Sequence, residues 1–211
     1  MKPAYWDDAA RELGRRDAVL KRVIRRHPGV HLQRRGDPFT TLARAIVGQQ
    51  ISVKAAQTIW DRVVVATGGS GTPPRLDPAR LGRTRLPTLR RCGLSERKAT
   101  YVRDLARHFV TGALDPAEWP GLADEALIER LVDVHGIGRW TAEMFLIFHG
   151  LRADVFPVDD IGVQRAMALH YNGGERLSIA GMRALAAPWQ PYRSVATWYL
   201  WRSLDPVPVE Y

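Results

Sequence analysis

Apolar residues recur at three- and four-residue spacings along almost the whole chain, the period of an α-helix rather than of a strand. Trp6, Ala9, Ala10 and Leu13 share one face, and Val19, Leu20, Val23 and Ile24 continue on a similar face to about His27, where Pro28-Gly29 ends the segment. Asp37-Pro38 reads as a cap and first-turn proline for a helix near 38–48. Ser52 reads as the cap of a helix over 53–66, with Ala55, Ala56, Ile59, Val63 and Val64 inward. The loop GGSGTPPRL at 68–76 precedes two short helical pieces near 77–82 and 86–91, and Ser95 opens a longer helix to about Phe109. Further helices are predicted near 123–134, 139–149, 160–171, 178–187 and 191–203. The one β-branched run, Val155-Phe156-Pro157-Val158, is too short to anchor a sheet. An all-α fold without internal repeats is the expectation.

At 211 residues, the chain has room for one large domain or two small interleaved ones, and 45% apolar residues suffice for a core. The start, MKPAYWDDAARELGRR, turns charged at once and does not read as a secretory signal, and no run of about 18 apolar residues suggests a membrane helix. An intracellular protein with no membrane partner is expected. A single cysteine, Cys92, excludes an intramolecular disulfide, an all-cysteine zinc site and a four-cysteine iron–sulfur cluster. Thirty-one Lys and Arg against 22 Asp and Glu give a net charge of +9, which points to a polyanionic partner. The basic residues concentrate in two tracts: Arg11 to Arg35, and Arg75 to Arg107. Flanking a middle region, they suit a charged groove. Arginine-rich composition fits an ordinary solvated surface as well, so charge alone leaves the partner open.

Residues 131–142, Leu-Val-Asp-Val-His-Gly-Ile-Gly-Arg-Trp-Thr-Ala, read as helix, turn and helix. Gly136 and Gly138 permit positive φ and leave backbone exposed, and the following helix would present unsatisfied N–H groups to an anion. A phosphate held there is bound without any base being read. An ordinary tight connection between helices uses the same glycines, so the turn by itself does not decide.

Asp154-Val-Phe-Pro-Val-Asp-Asp160-Ile-Gly-Val-Gln-Arg165 follows soon after, Arg44-Ala-Ile-Val-Gly-Gln-Gln-Ile-Ser52 precedes, and Trp189-Gln-Pro-Tyr-Arg-Ser-Val-Ala lies near the end. Together with Gly-Ile-Gly-Arg-Trp-Thr-Ala, these motifs resemble the helix-hairpin-helix (HhH-GPD) DNA glycosylase superfamily, and within it the alkylpurine branch, 3-methyladenine-DNA glycosylase II. The resemblance spans about 38–204 in consistent order. It implies two helical lobes with an active-site cleft between them and no iron–sulfur cluster. One lobe is a middle bundle at 37–153 containing the hairpin motif at about 126–149. The other combines 1–36 with 154–211. The additional N-terminal sheet domain of the long bacterial members is not expected.

The same resemblance implies the site. The family aspartate is the second acid of Asp-Asp, here Asp160. A carboxylate there would stabilise the positive charge that develops on deoxyribose as the base leaves. Asp160 also suits a helix N-cap, a task Asp159 would take if Asp160 is catalytic. The resemblance places pocket tryptophans at Trp140 and Trp201, whose faces would favour a cationic alkylated ring, with Phe39 and Trp198 as further walls. Lyase members of the superfamily carry lysine where this chain has Trp140, and Arg139 is a poor nucleophile, so a monofunctional hydrolase is implied.

Gln50, or its neighbour Gln49, takes the position of the wedge that fills the gap left by the extruded base, although both also suit the end of helix 38–48. Gly136, Gly138, Arg139 and Thr141 would hold a DNA phosphate. Carbonyls of Val132, Val134 and Ile137 would bind a Na or K ion, with no required cofactor. His135 lacks a Cys or His partner at zinc spacing and is expected to face the DNA backbone or solvent.

The expected function is hydrolytic excision of alkylated, cationic purines such as 3-methyladenine from double-stranded DNA in base excision repair. The protein is expected to act as a monomer, in the cytoplasm beside a bacterial nucleoid or otherwise with DNA inside the cell. A glycosylase for deaminated or oxidised bases would need a proton donor in the pocket. A non-catalytic DNA-binding module would need the hairpin and basic surface but neither Asp160 nor the aromatic cage.

Overall fold

The computed structural model describes residues 2–34 and 36–204; Arg35 of the first basic tract and 205–211 of the expected second lobe lie outside the described residues. The helices in chain order are α1 (Trp6–Arg16), α2 (Ala18–Arg26), α3 (Pro38–Gly48), α4 (Val53–Thr67), α5 (Pro78–Arg83), α6 (Leu86–Arg91), α7 (Glu96–Val110), α8 (Asp124–Val132), α9 (Arg139–Phe148), α10 (Ile161–Tyr171), α11 (Ile179–Ala186) and α12 (Arg193–Leu204). Short 3-10 turns lie at Trp119–Gly121 and Ala187–Trp189. Among the described residues the only β pairing is an isolated bridge between Ser70 and Arg75, so the fold is all-α as the periodicity implies. No described helix is long and apolar enough to cross a membrane. The chain divides into two compact units, 1–34 with 146–211 and 35–145, the division falling inside α9.

In the first unit, α1 packs on α2, and α12 packs on α1, α2 and α10. The helical pattern from Trp6 to Arg26 is broken at Asp17, which turns to φ −138° and uses its side chain to start α2. One oxygen, Oδ1, accepts the Val19 and Leu20 amides at 2.8 and 2.9 Å. The other, Oδ2, accepts the Tyr171 hydroxyl at 2.8 Å and the Trp189 indole N–H at 2.9 Å. Burial and the adjacent Asp17 charge push the Tyr171 phenol well above its usual range, so it stays a donor. Trp6 packs edge-on against Trp198, with ring centroids 5.3 Å apart.

The Val155–Val158 run is a buried loop rather than a strand. Ser194 Oγ accepts the Val155 amide at 2.8 Å, and the Val158 and Asp160 amides turn back to Phe156 and Pro157. Arg193 at the start of α12 grips both carboxylate oxygens of Asp154 at 2.8 Å. The loop that delivers Asp160 is thereby pinned at its beginning.

In the second unit, α3 and α5 pack on α7, and α4 packs on α3. Asp37 caps α3 through the Thr40 amide, as Asp37-Pro38 predicts, and Ser52 and Ser95 cap α4 and α7. Trp60, only 2% exposed, is the main anchor of α4 beside Val63, whereas Ala55, Ala56, Ile59 and Val64 are half-buried. Helix α4 thus turns toward its largest apolar side chain, since the indole removes more apolar area from water than several small residues. An edge-on aromatic series runs Phe39–Phe109–Trp119–Phe145 with centroid spacings of 5.2, 6.1 and 5.4 Å.

Replacing Asp17 by Ala removes a helix cap and the acceptor of a buried indole N–H. The expected cost is about 3 kcal/mol, read as a lower urea midpoint for unfolding. An unchanged midpoint would show that Asp17 carries no such weight.

Candidate active site and nucleic-acid interface

Asp160 is the N-cap of α10, with extended backbone and an Oδ1 that accepts the Val163 amide at 2.8 Å. The same Oδ1 accepts the indole N–H of Trp201, on α12, at 2.8 Å. The expectation that Asp159 would cap the helix is therefore corrected. Capping needs one oxygen oriented along the helix axis, and Oδ1 of Asp160 supplies it. Asp160 is 7% exposed, while Trp201 is half-buried.

Phe148, at the end of α9, lies nearly parallel to the Trp201 ring, 11° apart in plane and 5.5 Å between centroids. This is the offset stacking that aromatic quadrupoles favour. Gly162 makes room for the indole: a Cβ there would sit 3.0 Å from Trp201 Cδ1 and 3.0 Å from Asp160 Oδ1. The first unit therefore builds a carboxylate and an aromatic pair into one place. Phe148 and Gly162 escape the sequence reading, because the helical period makes the first look like core and nothing in the sequence shows what approaches the second.

Trp140 belongs to the second unit, in the first turn of α9, and is 38% exposed. Phe39, at 3% exposure, is part of the aromatic series of that unit's interior, and its packing is that of a core residue. Trp198 is likewise packed, against Trp6 and Tyr199, with the Arg202 guanidinium 4.9 Å above its ring.

The hairpin joins α8 to α9. Gly136 has φ +88°, and a Cβ there would lie 2.2 Å from the Tyr101 ring, so both conformation and packing demand glycine. Gly138 differs from the expectation. It does not adopt the left-handed region, and a Cβ there would meet nothing within 4 Å. The fold does not require glycine at 138; an exposed backbone with no side chain is what a close-approaching ligand requires. Its carbonyl accepts the Ala142 amide at 3.0 Å and so starts α9, leaving the amides of that helix's first turn outside the helical ladder. Thr141 is 8% exposed.

Arg139 is engaged within the protein. Its guanidinium is bidentate on Glu125 at 2.5 and 2.7 Å, and its Nε donates to Glu143 at 3.1 Å. Hydrogen bonding to Glu125, then the charges of both acids, hold it above its ordinary range against the effect of burial. Two carboxylates therefore share the charge of this guanidinium.

His135 is exposed, and both its amide and its Nδ1 lie 2.9 Å from Asp104 Oδ2. Burial would raise the Asp104 carboxyl, but hydrogen bonds from Arg107 and His135 and the His108 charge outweigh it and hold the group at about 2. Asp104, Tyr101 and Lys98, all on α7, brace this region, and none is legible from the hairpin motif itself. The Val134 carbonyl accepts the Ile137 amide at 3.0 Å. The backbone oxygens of Val132, Val134 and Ile137 are an uncharged, hard donor set, which fits a weakly held monovalent cation and not a transition metal.

The turn after α3 separates the two glutamines. Gln49 donates from Nε2 to the Gly136 carbonyl at 2.8 Å, so its side chain is tied to the hairpin. Gln50 is exposed at φ +55°, a strained conformation for a residue with a side chain. Around these elements Arg83, Arg85, Arg90, Arg91, Arg97 and Arg103 are exposed on α5, α6, α7 and their connections.

Residues 43–191 match the family of HhH-GPD superfamily base excision DNA repair proteins. The chain is 32% identical over 190 residues to a putative DNA-3-methyladenine glycosylase of Bacillus subtilis, covering 88% of this chain and 66% of that protein. It is 30% identical over 186 residues to DNA-3-methyladenine glycosylase 1 of Schizosaccharomyces pombe, covering 88% of this chain and 80% of that protein. Its structure is similar to the crystal structure of a DNA-3-methyladenine glycosidase of Bacillus halodurans, with TM-score 0.86 and 36% identity over 93% of this chain and 89% of that one. It is also similar to the S. pombe 3-methyladenine DNA glycosylase in complex with abasic DNA, with TM-score 0.80 and 29% identity over 97% of this chain and 98% of that one.

Gly136→Ala should lower the thermal midpoint by several degrees, whereas Gly138→Ala should leave it within about one degree. Equal effects would contradict the packing described. A second outcome concerns acid. Asp104 is held at about 2, below the ordinary carboxylate value of 3.8. Its contribution to stability is complete above about pH 4 and is lost as pH falls toward 2. Asp104→Asn should flatten the stability–pH curve in that window, as measured by urea titrations at successive pH values.

Proposed function

Because this chain belongs to the HhH-GPD superfamily of base excision DNA repair proteins, we propose that it excises alkylated, cationic purines such as 3-methyladenine from duplex DNA, as a monomer and by hydrolysis alone. The observation that carries the reading is the shared oxygen of Asp160, which fixes the carboxylate against an aromatic face. Water adds to C1′ of the deoxyribose and gives up a proton to solvent, while the N-glycosidic bond breaks and its electrons leave with the base, which departs neutral. The products are the free base and an abasic site. As the bond stretches, the sugar gains oxocarbenium character, which the Asp160 carboxylate stabilises while orienting the water. An alkylated purine already carries positive charge and leaves readily, so the pocket needs little acid. The Trp201 face beside Asp160 favours that charge by about 0.5–2 kcal/mol, and Trp140 is proposed as a further aromatic face on the family resemblance.

DNA is held through groups that read no sequence: the backbone at Gly138 and the start of α9, and the exposed arginines of α5 to α7. The hairpin carbonyls of Val132, Val134 and Ile137 would hold a Na or K ion, which when bound supplies positive charge beside a phosphate. Gln50 enters the stack in place of the extruded base, its exposure and unengaged conformation supporting that role over Gln49. Trp140 offers no amine for attack on the sugar, which supports a glycosylase without lyase chemistry.

Incubation with methylated duplex DNA, followed by chromatography of released bases, tests the activity. Asn at position 160 keeps the oxygen that caps α10 and takes the indole N–H, so Asp160→Asn isolates the loss of charge. Release should fall by at least about a hundredfold with affinity for undamaged duplex kept within about threefold. Undiminished release would remove Asp160 from the reaction, and a borohydride-trapped covalent DNA adduct would overturn the hydrolytic reading.

A further inference from the structure

Lys98 occupies the first turn of α7, where the helix dipole disfavours a cation, and it is half-buried. Burial pushes its ammonium below the ordinary lysine range. Its Nζ donates to the Val47 carbonyl at 2.8 Å and the Gln49 carbonyl at 2.6 Å. These oxygens lie in the last turn of α3 and just past its end, among the carbonyls that a helix leaves without partners. The next residue is Gln50 at φ +55°. Gln49 meanwhile reaches the hairpin through the Gly136 carbonyl. Along α7, one turn apart, Lys98 holds the α3 turn, Tyr101 lies against Gly136, and Asp104 holds His135. One helix therefore fixes both the turn that carries Gln50 and the hairpin, and Gln49 ties the two directly.

We propose that Lys98 is a positioning residue for base extrusion: by clamping the carbonyls at the end of α3 it holds Gln50 in its left-handed conformation, and it sets the wedge at a fixed spacing from the hairpin. The proposal rests on the reading of Gln50 as the wedge. Without the ammonium, two carbonyls lose their charge-assisted partner, and the turn loses the contact that opposes relaxation of a strained residue. The spacing between phosphate anchor and wedge then varies, and a smaller share of bound complexes has its damaged base unstacked. Undamaged DNA, bound through backbone contacts, is little affected.

The test is a double-mutant cycle between Lys98→Met and Gln50→Ala. Two readouts are followed on methylated duplex: single-turnover base release, and fluorescence of a 2-aminopurine placed beside the lesion to report unstacking. Lys98→Met should slow release about tenfold and reduce the fluorescence change, while in the Gln50→Ala background it should add less than about twofold. Lys98→Arg, which can still donate to both carbonyls, should recover most of the loss. Affinity for undamaged duplex and the thermal midpoint are recorded for each variant, and Lys98→Gln takes the place of Lys98→Met if the latter is unfolded at assay temperature. A full tenfold loss repeated in the Gln50→Ala background, or wild-type release by Lys98→Met, overturns the positioning role. Wild-type unstacking and release by Gln50→Ala alone instead overturns the wedge reading on which it rests.

Discussion

A chain made of short helices has many helix ends, and each end leaves backbone amides or carbonyls without partners. The longest helices here have 15 residues and the shortest six. Many of the side chains that matter in this protein satisfy such groups. Asp17, Asp37, Ser52, Asp77, Ser95, Asp160 and Ser178 each accept an amide at the start of a helix. Lys98 serves the carbonyls at the end of α3. The first turn of α9 has an exposed glycine before it, which suits it to an anion from outside.

This economy shows how one carboxylate serves several groups at once. Asp17 and Asp160 are both N-caps, and both accept an indole N–H. They differ in how the work is divided. Asp17 spends Oδ1 on the cap and Oδ2 on Tyr171 and Trp189, which closes a structural network. Asp160 brings its cap and the Trp201 indole together on Oδ1. The hydrogen bond to Trp201 also ties the orientation of an aromatic face to that of the carboxylate, so the two parts of the site move together.

The hairpin shows the same logic with opposite signs. Arg139, the residue that looks best suited to a phosphate, is held by Glu125 and Glu143 and serves to join α8 to α9. Neutral backbone at Gly138 and the start of α9 is what this side of the hairpin exposes. A binding surface made of amides and glycine fits any phosphate of a repeating backbone, as an enzyme that searches DNA for damage requires.

Helix positions, the caps at Asp37, Ser52 and Ser95, the all-α class and the family motifs were legible in the sequence, because each depends on residues within a turn or two of one another. The Gly136 turn was legible for the same reason, whereas Asp160 stood out only through the resemblance of its motif to the family. The partners of those residues were not. That Trp201 reaches Asp160 across 41 residues, that Tyr101 needs the space at Gly136, that Gln49 is engaged while Gln50 is not, and that Lys98 caps another helix are contacts between segments distant in the chain. Periodicity records which face of a helix is apolar but not what is brought against it. Only packing in three dimensions decides which polar atom finds a partner, and so which side chain is left to meet a substrate.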